Sequence, residues 1–96
     1  MKKVVLLAFA LLSMGAVQAA QDPEAVFNRS CGMCHNGQLP TAPKKGDAAA
    51  WESRLKQGSE TLVKHVTEGF NAMPARGLCM DCTADDYKAV IDWMSK

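Results

Sequence analysis

Cys31-Gly32-Met33-Cys34-His35 constrains this chain more than any other feature: two thiols lie three positions apart and an imidazole directly follows the second. The cluster matters because the chain is short. Its 96 residues form one small domain at most, and such a domain buries too little apolar surface to be very stable unaided. Whatever the cluster binds is expected to supply part of the core.

The N-terminus indicates where that binding takes place. Lys2 and Lys3 precede an uncharged apolar run from Val4 to Val17, and Val17-Gln18-Ala19-Ala20 is built mostly of small residues. This is the layout of a secretory signal peptide. The run falls short of the roughly 20 residues a membrane-crossing helix needs, and no other segment is long and apolar enough. An uncleaved anchor is the alternative. With Val17 and Ala19 in the small-residue positions, cleavage is expected after Ala19, which makes 1–19 the signal peptide and 20–96 the mature domain in the periplasm. No cysteine stands at the new N-terminus, so lipid attachment is not indicated. Removing Lys2 and Lys3 leaves nine basic against ten acidic side chains. That balance argues against a nucleic-acid binder, which needs a basic stripe to displace counterions from phosphates, and leaves the partner class open.

Cys31, Cys34, Cys79 and Cys82 all lie in the exported part, where free thiols do not persist. In this setting CxxCH reads as a c-type haem attachment segment. The spacing has a mechanical reason. Thiols with two residues between them can each add to one of the two haem vinyl groups, and the next histidine then reaches the iron, so Cys31 and Cys34 would hold the macrocycle and His35 the metal. A thioredoxin-like pair normally sits beside a strand in a βαβ unit, which is absent here. A four-cysteine zinc site wants its two pairs roughly 15 to 20 residues apart, and here the interval between Cys34 and Cys79 is far longer.

The rest of the chain reads as all-α, three to four short helices with loops. Asp22-Pro23-Glu24 is a helix start, with a capping side chain, a preset φ and a negative charge in the first turn. That helix is predicted from Pro23 to Arg29 or Ser30, with Val26 and Phe27 turned inward. Gly37, Pro40, Pro43 and Gly46 mark a loop. Asp47 caps a second helix ending before Gly58, with Trp51 and Leu55 on one face. Ser59 caps a third through Glu68, with Leu62, Val63 and Val66 as its stripe. Thr83 with Asp86 forms a short-acid capping box for the last helix. There Tyr87, Val90, Ile91 and Met94 keep a helical period, and Phe27 is expected to pack near Tyr87 and Ile91. No segment alternates with period two, so no strands are predicted.

With CGMCH at 31–35, APKKGDAAAW at 42–51 followed by Arg54, GFNAMPARG at 69–77 and CMDC at 79–82, the chain resembles the class I c-type cytochromes, most closely the bacterial cytochrome c5 group. The resemblance implies one covalent haem c with Met73 as second axial ligand opposite His35. Among the six methionines, Met73 alone lies in a post-helix loop with a proline after it. His65 is the competing ligand, and a surface or half-buried histidine is its simpler role. The resemblance also puts the hydrogen-bond acceptor for His35 at Pro43, with Pro40 as alternative. Trp51 and Arg54 can offer an indole donor and a guanidinium to the haem propionates, and core packing is the alternative for Trp51. With two thiols used on haem, Cys79 and Cys82 are expected to form a disulfide before the last helix.

A His/Met pair raises the reduction potential relative to two imidazoles and leaves no open coordination site. The function implied is periplasmic one-electron carriage by a monomer, without substrate turnover, in a respiratory chain. Its partners would be redox proteins such as other cytochromes or a terminal oxidase, met in small transient contacts. The rival is a haem enzyme or gas sensor with a labile sixth site. Lys44, Lys45 and Arg76 form either a docking patch or, the simpler reading, a solvated surface.

Overall fold

A computed structural model describes residues 19–96. The signal peptide expected over residues 1–19 lies outside the described residues apart from Ala19. α1 (Pro23–Val26) starts with the Asp22 carboxylate accepting the Ala25 N–H at 3.1 Å and Pro23 in the first turn. The helix does not end near Ser30 as predicted. It runs through a π turn (Phe27–Cys31) into α2 (Gly32–His35), so both thiols and the imidazole ride on one continuous helix. Gly32 permits the wide turn. Its N–H bonds the Phe27 carbonyl, and a Cβ there would stand 3.1 Å from that oxygen and 3.2 Å from the Phe27 ring. Ser30 is buried in the same stretch and donates to the Leu78 carbonyl at 3.4 Å, a long-range contact that local propensity does not register.

α3 (Ala48–Leu55) is capped by Asp47, whose side chain accepts the Ala50 N–H. Trp51 is buried, but Leu55, expected beside it, is 42% exposed, because it is the last helical residue and lies past the packed turn. α4 (Ser59–Glu68) also departs from expectation at its start. Gly58 takes the N-cap position and Ser59 makes no capping bond. Leu62 and Val66 are buried, with Val63 packed partly against them.

α5 (Ala84–Met94) opens with the capping box: the Thr83 hydroxyl accepts the Asp86 N–H at 3.3 Å, and the Asp86 carboxylate accepts the Thr83 N–H at 2.8 Å. Tyr87, Val90, Ile91 and Met94 are all buried. α1 packs on α5, and α4 on both α5 and a 3-10 segment, Ala75–Leu78. The Phe27 ring meets Trp93 at 5.3 Å, a partner the sequence had not singled out. Gln21 fastens the chain start to this corner: its N–H and side-chain amide donate to Asp86 at 2.7 and 3.0 Å.

Among the described residues no sheet forms, and the isolated bridge joins Phe70 to Met73. No described helix is long and apolar enough to cross a membrane. The fold is thus all-α, with a cleft left open where the continuous α1–α2 helix, α3 and the segment after α4 meet.

Candidate functional site

The cleft has a volume of about 320 Å³. Cys31, Cys34 and His35 line it from the first helix, Leu39 and Pro43 from the following loop, Arg54 from α3, and Phe70, Met73 and Leu78 from the chain beyond α4. Residues far apart in sequence therefore converge on one cavity. Trp51 and the Cys79–Cys82 pair are not on its walls.

His35 is buried, and its Nδ1 lies 2.8 Å from the Pro43 carbonyl. A carbonyl can only accept, so Nδ1 carries the proton and Nε2 keeps its lone pair for a metal. The loop after Pro43 is laced into three helices through its main chain. Lys44 offers its carbonyl to the Trp51 indole at 3.0 Å, the Lys45 N–H donates to the His35 carbonyl, and the Gly46 N–H donates to the Met94 carbonyl, both at 2.8 Å. Trp51 stacks on His35 with centroids 5.9 Å apart. Its indole N–H is committed to Lys44, so packing behind the imidazole, rather than a donor for propionates, is the role its geometry leaves. Arg54 donates to the Ala50 carbonyl and keeps further N–H groups at the cleft wall.

Met73 is half-buried against the core. Its thioether methyl lies where Gly77 leaves room: a Cβ on Gly77 would stand 3.1 Å from Met73 Cε. Gly77 has φ +57°, and its neighbours Arg76 and Leu78 share the left-handed region at +64° and +65°. Side chains other than glycine occupy that region at a cost of roughly 1–3 kcal/mol each, so the tertiary contacts of this segment hold it there. His65 is not on the cleft wall. It stacks on Phe70, with centroids 4.0 Å apart and planes within 15°, and Phe70 in turn lines the cleft. No local signal in the sequence marks that pair.

Cys79 and Cys82 are joined as a disulfide, with Cα atoms 5.4 Å apart. The buried Tyr87 hydroxyl donates to the Cys79 carbonyl at 3.1 Å, and Arg29 pairs with Asp81 at 2.8 Å. Burial pushes the Cys31 thiol up, opposed by the nearby Arg29 cation. Two of the three cations flagged as a surface group have partners inside the molecule. Lys45 lies over the Trp93 ring at 4.1 Å, and Arg76 donates to the Met80 carbonyl at 3.0 Å.

The family model described as cytochrome c oxidase, cbb3-type, subunit III, matches residues 18–94. Cytochrome c5 of Azotobacter vinelandii is 42% identical over 79% of this chain and 94% of its own length. Cytochrome c5 of Ectopseudomonas mendocina is 35% identical over 84% of this chain and 92% of its own. The chain is a c5-like class I c-type cytochrome.

As such a cytochrome it carries one covalently bound haem c with iron, and it is a haem c electron carrier. Among solved structures, a mono-haem ferrocytochrome c from Shewanella putrefaciens matches it with a TM-score of 0.71 at 49% identity, over 82% of this chain and 98% of that one. A cytochrome c in an electron-transfer complex with nitrite reductase matches with a TM-score of 0.69 at 31% identity, over 79% and 94%. The residues of the cleft fit haem c. Two thiols with the attachment spacing, an imidazole with its δ-nitrogen already bonded, a thioether, apolar walls and one guanidinium make up the donor set it requires.

Proposed function

We propose that this cytochrome is a periplasmic carrier of single electrons whose haem c is held by Cys31 and Cys34 through thioether bonds and by His35 and Met73 as axial ligands. The observation that carries this is the convergence of the four side chains on one cleft, with His35 Nδ1 bonded to Pro43 so that only Nε2 is free. The bound group supplies a one-electron couple. The chain supplies the rest. Trp51 and Pro43 orient the imidazole, and Leu39, Phe70 and Leu78 provide apolar walls that keep water from the ligands. Arg54 is placed to pair with a propionate. With the Met73 thioether and the His35 imidazole as its ligands, the iron would have a higher potential than with two imidazoles, and ligands held in place by the chain would keep reorganisation small, which favours transfer over catalysis.

Residues 1–19 have the layout of a cleaved signal peptide, which supports export and a mature domain of 20–96. The relative captured with nitrite reductase supports partners that are themselves redox proteins, met transiently rather than by turnover of a substrate. The Cys79–Cys82 bridge serves as a staple for the turn before α5. The test is the absorption spectrum of the holoprotein before and after Met73→His. The far-red methionine-to-ferric charge-transfer band is expected to vanish. The reduction potential is expected to fall by on the order of a hundred millivolts, a fraction of the roughly 0.8 V that axial ligands command. An unchanged band removes Met73 from the iron, and ready carbon monoxide binding by the reduced wild type would instead favour an enzyme or sensor.

A further inference from the structure

We propose that the His65–Phe70 stack is a positioning device for Met73, deciding how firmly its thioether holds the sixth coordination position; this rests on the ligand assignment above. Phe70 and Met73 exchange main-chain hydrogen bonds in both directions, Phe70 N–H to the Met73 carbonyl at 3.0 Å and Met73 N–H to the Phe70 carbonyl at 2.9 Å. They close a tight turn in which Asn71 takes φ +52°. Wherever the Phe70 backbone goes, the Met73 backbone must follow.

The place of Phe70 is in turn set by its ring. Phe70 lines the cleft, and its aromatic contact is with His65 at 4.0 Å on α4. The next residue of α4, Val66, reaches the same segment from the other direction: its Cγ1 would lie 3.4 Å from a Cβ on Gly77, the glycine against which the Met73 methyl sits. One helical turn thus braces the ligand loop twice, through its main chain by way of His65 and Phe70, and beside its side chain by way of Val66.

A ligand on a loop competes with any external ligand according to the fraction of time the loop is in place. Loosening the stack should raise that competition without changing the ligand set. The test uses the ferric holoprotein, with cyanide as the probe, at one fixed pH. An aromatic pair of this kind is worth enough that Phe70→Ala and His65→Ala should each tighten apparent cyanide binding roughly three- to tenfold. The far-red band should weaken in parallel.

His65→Phe keeps the stack and should restore the wild-type affinity and far-red band, a rescue that loss of the histidine for any other reason would not produce in the spectrum. His65→Ala leaves the turn sequence intact, so the test survives if Phe70→Ala fails to mature. Wild-type cyanide affinity and band in His65→Ala overturn the proposal. If instead Met73→His leaves the far-red band untouched, the ligand assignment itself has failed, and the two failures are told apart.

Discussion

At the residue scale, the imidazole of His35 is fixed twice over, and the two restraints share a backbone. Pro43 accepts its Nδ1 proton, Lys44 accepts the indole proton of the Trp51 ring stacked on it, and the two carbonyls are consecutive. Trp51→Phe keeps an aromatic face but leaves a carbonyl without its donor, at a cost of about 1–3 kcal/mol, measurable by urea unfolding of the holoprotein. The reduction potential should shift as well, because the Pro43 acceptor loses its neighbouring anchor. A stability loss with no change in potential would mean that the Lys44 bond holds α3 without holding the ligand. That Cys31, Cys34 and His35 face one cleft was legible in the sequence because their spacing is local. The role of Trp51 was legible only as a choice between two, because its donor is claimed by a backbone carbonyl that no side-chain pattern reveals.

At the element scale, the caps are the features that sequence and structure share most closely. Asp22, Asp47 and the Thr83–Asp86 box each act within a turn of their own position, so nearby residues determine them. The first helix was misjudged at its end for the opposite reason. Its passage through the π turn depends on Phe27 fitting against Gly32 and on Ser30 reaching Leu78, contacts set by the fold. Asp86 also makes α5 sensitive to acid. The Thr83 N–H, then the Gln21 N–H, hold its carboxyl below the usual carboxylate range. The folded value being depressed, this stabilisation is present above the unfolded value of about 3.9 and is lost as pH falls through the folded one. Asp86→Asn should therefore flatten the loss of stability below about pH 4. It should also weaken the fold at neutral pH by about 1 kcal/mol, both read from unfolding curves across that range.

At the scale of the whole molecule, the protein side chains make only part of the core, and a cleft takes the rest. The chain with Cys31→Ala and Cys34→Ala, expressed without haem attachment, is expected to lose helical circular dichroism and cooperative unfolding, as a domain this small lacks apolar burial to spare. Full helicity and a sharp transition would show the side-chain core to be sufficient alone. Removing the staple is expected to matter less. Cys79→Ser with Cys82→Ser closes no large loop, so about 2 kcal/mol or less should be lost, with the far-red band retained. One consequence reaches past stability. On the loop side, every bond that laces residues 43–46 to their neighbours belongs to the main chain. Lys45 is tied down over Trp93, but the Lys44 side chain can be exchanged without breaking any of those bonds, so the outer face of the loop can change while its grip on the imidazole does not.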